Sequence, residues 1–511
     1  MKKFLRAIFS QKFLIVVMLL AQLAFLAFTV LRLSDSYYWI YVGTTVLDVF
    51  MIVYIINSGE NPSYKIAWLA AIAILPVFGG LVYLFVRLKI GKRFYIKLEE
   101  LSSQYSQKYL MQNKTVMEEL AKSDIRTANL AKYLEKNGFP IYKNTEATYF
   151  RLGEEQFEAM LGELERAERF IFMEYFIISD GYMFGKISEV LIRKARSGVD
   201  VRLMYDGIGT NMAMRMRRFK HLAANGVQCK IFNKFTPSLS IFQNNRDHRK
   251  IVVIDGHTAF TGGTNIADEY INRKVRFGHW KDTAIMLKGE AVRSFTVMFL
   301  QIWDMTDKQK TEDYSSILLP DIPTPPKMEQ SYMIPYSDTP LKGETIGKMV
   351  YIDIVNNAEN YVYITTPYLV LDNELLTALE FAAEKGVDVR ILTPHIPDKK
   401  YMRLIALRYY PRLIQHGVKI YEYTPGFIHA KSFVSDDTVA VVGTINLDYR
   451  SLYLHYECAC LMYRSPAVEE IRDDFLDAQS ISTLITTEYC NTRPIHERAV
   501  GWLLNLIAPL L

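Results

Sequence analysis

The feature that most constrains this chain of 511 residues is a spaced pattern of His, Lys, Asp, Gly and Asn that occurs twice. In the first copy the five positions are His248, Lys250, Asp255, Gly262 and Asn265. In the second copy the same spacing recurs at His429, Lys431, Asp436, Gly443 and Asn446. Chance does not account for five matched positions at identical spacing, so the pattern predicts a duplicated domain.

Other segments repeat together with this pattern. Residues 198–202 read Gly-Val-Asp-Val-Arg, and the same pentapeptide recurs at residues 386–390. An apolar run that reads as a buried strand precedes each pentapeptide, at residues 170–178 and 361–371. Helical and strand patterns alternate around these runs. The alternation predicts an α/β fold with two lobes, each built on a mostly parallel sheet.

The chemistry of the two copies points to a phosphodiester. Each copy begins in a probable strand, where residues two apart point to the same face, so its His and Lys project together. Brought face to face, the copies supply two imidazoles, two ammonium groups and two amides. One imidazole can attack phosphorus and the other can protonate the leaving oxygen, while Lys and Asn hold the developing charge.

At these residues the chain resembles the phospholipase D superfamily, in which two HKD motifs form one active site. The motifs occupy residues 242–269 and 423–450. More narrowly, the chain is similar to bacterial cardiolipin synthases at residues 61–68, Asn-Pro-Ser-Tyr-Lys-Ile-Ala-Trp, and at residues 75–80, Leu-Pro-Val-Phe-Gly-Gly. The resemblance implies two phospholipase D-like α/β lobes that form one shared active site, preceded by N-terminal transmembrane helices.

The resemblance also implies a reaction. A phosphatidyl group passes between two phosphatidylglycerol molecules through a phosphatidyl-histidine, giving cardiolipin and glycerol without a cofactor or a metal. By analogy His248 attacks and His429 protonates the departing glycerol, although the copies are chemically alike and the sequence does not distinguish them. Lys250, Lys431 and the phosphate-binding Asn265 and Asn446 stabilise the charge on phosphorus.

A second carboxylate follows each motif. Asp282 ends the segment Trp280-Lys281-Asp282, which lines up with His455-Tyr456-Glu457 in the second half. By resemblance to the superfamily, each of these acids accepts a hydrogen bond from the far nitrogen of a catalytic imidazole and orients it. Glu269 is a lower-ranked competitor of Asp282. Outside the motifs, His455 is the histidine expected nearest the site.

The motif aspartates allow two interpretations. The resemblance counts Asp255 and Asp436 with the catalytic residues of each HKD motif. Read from the residues alone, both lie five positions after the Lys, where Asp-Gly and Asp-Asp favour a hairpin turn. On that interpretation they form turns or pair with a buried cation, because a carboxylate facing the substrate would repel its phosphate.

Residues 1–90 are predicted to be a membrane region with two or three transmembrane helices. Apolar runs at residues 13–31, 37–56 and 66–86 are each long enough to cross a bilayer. Basic residues flank the first and the third run, and the positive-inside rule draws both flanks to the cytoplasm, so the number of crossings stays open. The heavier cluster follows the third run. It favours a catalytic domain facing the cytoplasm, and the resemblance implies a bacterial cell membrane.

The remaining sequence divides into four parts. Residues 91–137 read as a helical linker and residues 138–315 as the first lobe. Residues 316–340 are rich in proline and form the interlobe linker. Residues 341–511 form the second lobe and end in an apolar tail, which either lies on the membrane or packs on the core.

Composition limits the partners. A formal net charge of +5 suits anionic membrane lipid and does not single out nucleic acid, so phosphatidylglycerol and the membrane are the expected partners. The four cysteines have no metal-ligand spacing, and the oligomeric state stays open. Another phosphatidyltransferase, or a hydrolytic phospholipase D or nuclease, would share the motifs, although the membrane segments argue against a nuclease. A non-enzymatic membrane scaffold is a third alternative, and the intact motifs in both halves count against it.

Overall fold

The computed structural model describes residues 38–75, 78–87, 92–210, 215–234, 244–306, 313–318, 331–341 and 343–510. The described residues form two compact units. One takes its residues from 1–94, 235–245 and 502–511, and the other from 95–234 and 246–501. The apolar run predicted at residues 13–31 lies outside the described residues.

The helices of the first unit are α1 (Tyr38–Asn57), α2 (Pro62–Ile74) and α3 (Phe78–Arg87). The run at residues 66–86, which the sequence presents as one candidate span, is divided between α2 and α3. A Cβ atom on Gly79 would lie 2.6 Å from the carbonyl oxygen of Ala71, so glycine lets the start of α3 approach the backbone of α2. The third apolar run is therefore two packed helices.

These three helices share a small core, while much of α1 is exposed. The core residues are Met51, Ile55, Ile72 and Tyr83. The exposed apolar side chains of α1 are Val46, Val49, Phe50, Val53, Tyr54 and Ile56. In the part of the chain that the structure describes, no helix combines the length and the apolar character needed to cross a membrane.

The predicted linker contains the helices α4 (Lys92–Gln107), α5 (Lys114–Ser123) and α6 (Ile125–Lys136). Leu120 of α5 and Leu134 of α6 are fully buried, and they belong to the same apolar core as Tyr336 and Val350 from the second half of the chain. Helices α5 and α6 are thus part of the core of the second lobe.

The first lobe is built on a seven-stranded sheet with the order β1-β9-β7-β6-β2-β3-β4. Its strands are β1 (Thr145–Phe150), β2 (Phe170–Tyr175), β3 (Asp200–Asp206), β4 (Gln228–Phe232), β6 (Lys250–Ile254), β7 (Thr258–Gly262) and β9 (Ala284–Gly289). The short strands β5 (Arg246–Asp247) and β8 (His279–Lys281) lie outside this sheet. Its helices are α7 (Gly153–Arg166), α8 (Tyr182–Arg196), α9 (Lys220–Ala224) and α10 (Val292–Met305).

The second lobe repeats this design, with the order β10-β17-β16-β15-β11-β12-β13-β18 and with β5 paired to β17. Its strands are β10 (Tyr332–Asp338), β11 (Tyr361–Thr365), β12 (Asp388–Pro394), β13 (Lys419–Tyr423), β14 (Gly426–Ile428), β15 (Ser432–Ser435), β16 (Val439–Gly443), β17 (His455–Tyr463) and β18 (Ser482–Leu484). Its helices are α11 (Ile346–Asn357), α12 (Asn373–Glu384), α13 (Lys400–Gln415), α14 (Tyr449–Tyr453), α15 (Pro466–Ser480), α16 (Thr487–Thr492) and α17 (Ile495–Ile507).

The prediction of two α/β lobes is confirmed, but the prediction of mostly parallel sheets is wrong. Strands β2, β3 and β4 are parallel, as are β11, β12 and β13. The motif strands β6 and β15 instead run antiparallel to both of their neighbours. Each returns through a tight hairpin, β6 to β7 and β15 to β16, and each also pairs antiparallel with the first buried strand of its lobe, β2 or β11. Each sheet is therefore mixed, and the HKD motif occupies its antiparallel half.

Two helices join the lobes. Helix α10 packs on β2 and β6 of the first sheet and on β10 of the second. Its residues Phe295, Phe299 and Trp303 are at most 3% exposed. Helix α15 packs on β1 of the first lobe and on β11, β13 and β15 of the second. Because each sheet contributes to the burial of both helices, the lobes form one rigid support for residues at their junction.

Candidate active site

Two short pairs of strands cross the lobe junction and carry the motif histidines. Strand β5 runs parallel to the start of β17, and β14 runs parallel to β8. His248 directly follows β5, and its N–H donates to the carbonyl of Tyr456 at 2.9 Å. His429 directly follows β14, and its N–H donates to the carbonyl of Lys281 at 2.7 Å. Each histidine is thus seated by the backbone of the opposite lobe.

This pairing brings each histidine to the carboxylate of the opposite lobe. His248 Nδ1 lies 2.9 and 3.0 Å from the two carboxylate oxygens of Glu457. His429 Nδ1 lies 2.7 Å from Asp282 Oδ2. Both carboxylates are completely buried. The sequence predicted the two acids as orienting partners, and the structure adds that the pairs are crossed between the lobes.

The carboxylates have further fixed contacts. Glu457 Oε2 accepts the hydroxyl of Thr444, and Asp282 Oδ1 accepts the N–H of Thr283 at 2.9 Å. A Cβ atom on Gly263 would lie 2.0 Å from Asp282 Oδ1, so only glycine leaves space for this carboxylate. These contacts hold the acids in place and leave the imidazoles to face the junction.

Burial and hydrogen bonding set the protonation of the pairs. Burial lowers the pKa of His248 to about 3 and that of His429 to about 4. Burial raises the pKa of Glu457 and of Asp282, but the facing imidazoles outweigh it and hold both below their usual range. At neutral pH each Nδ1–H therefore donates to a carboxylate, and each Nε2 keeps a free lone pair.

The motif lysines face the same space. Lys250 Nζ donates to the carbonyl of His248, and Lys431 Nζ donates to the carbonyl of His429 and lies 2.9 Å from its Nδ1. Burial lowers the pKa of Lys250 to about 8 and that of Lys431 to about 7. A phosphate anion between the lobes would favour the charged form of both ammonium groups.

The two motif asparagines are buried and differ in their contacts. Asn265 Oδ1 accepts the N–H of Ile177 at 3.0 Å, and its Nδ2 donates to the hydroxyl of Tyr270 at 2.8 Å. Asn446 Nδ2 donates to Ser451 Oγ at 3.1 Å. Among the described residues, Asn446 Oδ1 has no hydrogen-bond partner. Phosphate binding by the two amides stays a prediction.

The motif aspartates lie away from this cluster, at the far ends of the motif strands. Asp255 accepts three backbone N–H groups between residues 168 and 170, each at 2.8 Å, and Asp436 accepts three between residues 359 and 361 at the same distance. Both adopt a positive φ, of 54° and 52°. Grouping them with the catalytic residues is therefore corrected, since they fix a hairpin turn against a helix–strand junction.

Two other acids near the first motif have partners elsewhere. Glu269 lies on a 3-10 turn and pairs with Arg276 at 3.0 Å, so it does not orient a motif histidine. Glu174, on β2 beside the first motif strand, is fully buried and accepts Arg249 Nε at 2.7 Å. It supports the core behind the first motif.

Aromatic rings surround the two imidazoles unequally. The ring centroid of His429 lies 5.5 Å from Trp280, 5.4 Å from Tyr270 and 5.8 Å from Phe427. His248 instead lies 5.1 Å from Phe176 and 5.5 Å from His455. Because Trp280 and His455 occupy matching positions two residues before the orienting acid, the two halves of the site differ at this position.

Within the described part of the chain, one group of side chains could hold a metal ion. Ligand atoms of His248, His455 and Glu457 all lie within 4.8 Å of one another. The spacing of the two motifs does not predict this group, since two of its members come from one strand and the third from the opposite lobe. The spacing His-x-Glu on an expected strand was the signal available, because it sets both side chains on one face.

Comparison with known proteins agrees with this architecture. The family model for the cardiolipin synthase, PLD-like domain matches the chain twice, at residues 160–303 and 351–478. A second model, phospholipase D-nuclease N-terminal, matches residues 46–87. The two matches of the first model fall on the two lobes, and each includes one HKD motif.

Curated relatives align over most of the chain. A cardiolipin synthase from Geobacillus kaustophilus is 34% identical over 469 residues, which cover 91% of this chain and 92% of the relative. An uncharacterized protein from Streptococcus mutans is 46% identical over 467 residues, which cover 90% of this chain and 99% of that protein.

The fold also occurs among solved structures. A phosphatidylserine synthase from Haemophilus influenzae superposes with a TM-score of 0.55 at 14% identity, covering 74% of this chain and 97% of that chain. This likeness concerns the fold alone. From the duplicated family match and the relatives that align over nearly their whole length, the chain belongs to the cardiolipin synthase family of phospholipase D-like phosphatidyltransferases.

Proposed function

We propose that this protein transfers a phosphatidyl group from one phosphatidylglycerol to a second one, producing cardiolipin and glycerol. The observation that carries the proposal is the crossed pair of buried hydrogen bonds, His248 to Glu457 and His429 to Asp282. Each bond fixes Nδ1 as the protonated nitrogen and leaves Nε2 free for proton transfer or attack. A cardiolipin synthase among the relatives supports this choice of substrate.

The first half of the reaction forms the covalent intermediate. Nε2 of one imidazole attacks phosphorus, and we retain His248 for this role. Before this step the other imidazole, His429, takes up a proton from solvent at Nε2, and the substrate phosphate favours the resulting imidazolium. The bond from phosphorus to the glycerol oxygen breaks, and His429 gives this Nε2 proton to that oxygen. The ammonium groups of Lys250 and Lys431 stabilise the charge on the pentacoordinate phosphorus.

The second half reverses these steps with a new alcohol. The headgroup hydroxyl of a second phosphatidylglycerol gives its proton to His429 Nε2, and its oxygen bonds to phosphorus. The phosphorus–nitrogen bond to His248 then breaks and restores the free imidazole. The energy of the original diester bond is kept in the intermediate, so the cycle requires no nucleotide.

A lipid assay tests this proposal. The purified full chain is incubated with phosphatidylglycerol vesicles in EDTA without nucleotide, and products are identified by mass spectrometry. We expect cardiolipin and glycerol in equal amounts, and no cardiolipin from His248→Asn or His429→Asn. The control is His257→Asn, on the hairpin after the first motif strand, which should keep wild-type turnover.

Two results would reject the proposal. Phosphatidic acid as the only product would assign a hydrolase, and wild-type turnover in either motif variant would remove the shared-site mechanism. Acid-labile phosphohistidine in a rapidly quenched reaction, mapped by peptide sequencing, identifies the attacking residue.

We also propose that residues 1–90 hold the catalytic lobes at the cytoplasmic face of a bacterial membrane. A Cys introduced at exposed Glu158 of α7 should react with an impermeant maleimide only after the cells are permeabilised. Labelling in intact cells would place the lobes on the opposite side.

A further inference from the structure

His455 lies in the candidate active site, but the proposed transfer does not use it. It is 9% exposed, and it begins strand β17 two residues before Glu457, so both side chains project from the same face. Among the described residues, neither ring nitrogen of His455 has a hydrogen-bond partner. A buried imidazole that is unpaired at both nitrogens indicates a missing ligand, because burial of unpaired polar atoms is costly.

The neighbours of His455 complete a set of metal ligands. Its Nδ1 lies 3.7 Å from Glu457 Oε1, beyond hydrogen-bonding distance, and that oxygen lies 2.9 Å from His248 Nδ1. Two imidazoles and one glutamate are a ligand set that zinc uses when a fourth position stays open. Zinc binds at about 2.0–2.2 Å from nitrogen and oxygen ligands. Because the three ligand atoms already lie within 4.8 Å of one another, small side-chain rotations would bring all three to one ion.

We propose that His248, His455 and Glu457 bind Zn²⁺ and that the bound ion blocks phosphatidyl transfer. Binding at His248 Nδ1 requires a lone pair there, so the ring proton moves to Nε2. That shift removes the Nε2 lone pair that attack or proton transfer needs. The ion also takes the carboxylate that orients His248. The inhibition rests on the proposed function, whereas the binding itself does not.

The other half of the site lacks this capacity. Trp280 occupies the position that matches His455, and its ring centroid lies 5.5 Å from His429, the same separation as between His455 and His248. An indole offers an N–H donor and no lone pair to a metal. The structure therefore assigns the zinc site to the His248 half, where a difference between the two repeats creates it.

The ammonium groups of the motif lysines oppose a further cation in the junction. Lys250 and Lys431 lie close to the site, and each favours the unprotonated form of the facing imidazole. We therefore expect reversible inhibition by free zinc that EDTA removes, in contrast to a permanently held structural ion.

The test compares His455→Asn with the wild-type chain and with a matched control. His395 of the second lobe also pairs through Nδ1 with a buried glutamate, Glu422, at 2.9 Å, but it lies outside the motif cluster. The full-length proteins are titrated with ZnCl₂, and zinc binding is measured by equilibrium dialysis and by the shift in melting temperature. Cardiolipin formation is followed in the same samples.

We expect the wild type to be inhibited reversibly and to bind one zinc more per chain than His455→Asn. The concentration of zinc for half-inhibition should rise at least about tenfold in His455→Asn and stay unchanged in His395→Asn. Zinc should raise the melting temperature of the wild type more than that of His455→Asn. His455→Gln serves as a second variant if the Asn variant does not fold.

Equal inhibition of the wild type and His455→Asn would overturn the inference, since the zinc would then act on the vesicles or elsewhere on the chain. Equal zinc stoichiometry would overturn it as well. If the wild type makes no cardiolipin but binds one zinc more per chain than His455→Asn, the proposed function fails and the zinc site stands.

Discussion

His248 of the first lobe donates its Nδ1–H to Glu457 of the second lobe across 2.9 Å, and the reciprocal bond runs from His429 to Asp282 across 2.7 Å. Neither lobe therefore pairs its own motif histidine with its own orienting carboxylate. The pairing follows from parallel interlobe strands, in which the residue before each histidine pairs with the residue before the acid, so that histidine and acid come next in register. Duplication alone does not produce an active site here, because each imidazole needs the other lobe for its orientation.

The first prediction concerns these carboxylates. Glu457→Gln and Asp282→Asn should each lower kcat by about 100-fold, because the neutral amide no longer fixes the tautomer or stabilises the imidazolium. KM should change little, since both acids are completely buried and act through the imidazoles. Steady-state cardiolipin formation on phosphatidylglycerol vesicles measures both constants.

Glu269→Gln is the control for this prediction. Glu269 is near the first motif in sequence but pairs with Arg276, so its substitution should leave kcat unchanged. An equal loss of kcat in Glu269→Gln, or full activity in Glu457→Gln, would contradict the assignment of the orienting acids.

The second prediction separates the motif aspartates from catalysis. Asp255→Ala should lower the free energy of unfolding by about 2 kcal/mol or more, because three backbone N–H groups lose a charged acceptor. The turnover of the remaining folded protein should stay near that of the wild type. Thermal unfolding and turnover of the same preparation are compared.

Asp255→Asn is the matched variant, since asparagine tolerates the positive φ of this position and keeps one acceptor oxygen. Its melting temperature should lie between those of the wild type and the alanine variant. A variant that keeps its melting temperature but loses turnover would return Asp255 to the catalytic residues.

The third prediction is a loss of kcat/KM as pH rises. Burial lowers the pKa of Lys431 to about 7 and that of Lys250 to about 8, so both are cationic below these values and neutral above them. The stabilisation of the phosphorane charge is thus present at low pH and lost as pH rises through 7 to 8. The pH profile of kcat/KM should fall over this range.

Lys431→Arg tests the origin of this decline, because a guanidinium stays charged throughout. This variant should be less active than the wild type, but its kcat/KM should stay constant to higher pH. The fall in kcat/KM should then occur near pH 8, where Lys250 loses its proton. Lys250→Arg should leave the fall near pH 7. A profile that is flat to pH 9 in the wild type, or unchanged in Lys431→Arg, would contradict the role of Lys431.

The sequence predicted the residues of the site better than their pairing. The spacing of the duplicated motif marked both histidines and lysines, and alignment of the halves marked Asp282 and Glu457. The exchange of acids between lobes was not predictable, because it depends on strands β5 and β14, of two and three residues, which are too short to have a periodicity.

The sheets were predicted less completely for a similar reason. Buried strands such as β6 are apolar on both faces, and this pattern does not distinguish a parallel neighbour from an antiparallel one. The sequence predicts a hairpin turn at Asp255. Because a hairpin joins two antiparallel strands, this turn implies the antiparallel half of the sheet. The packing of α5 and α6 into the second lobe is a tertiary contact that no local pattern indicates.

The fourth prediction concerns the ion pair that crosses the lobe junction. Lys281 Nζ lies 2.7 Å from Asp474 Oδ1, and both side chains are 8% exposed. Asp474→Asn would leave the buried ammonium without its counter-charge, at a cost of about 3 kcal/mol. Because the carbonyl of Lys281 accepts the N–H of His429, turnover should fall together with the melting temperature.

An exposed pair on the same helix provides the control. Asp477 pairs with Arg151 at 2.7 Å, but the side chains are 71% and 41% exposed, so Asp477→Asn should cost no more than about 1 kcal/mol. If both variants lost the same stability, burial would not explain the effect. If Asp474→Asn lost stability but kept full turnover, the junction would hold the lobes together without positioning His429.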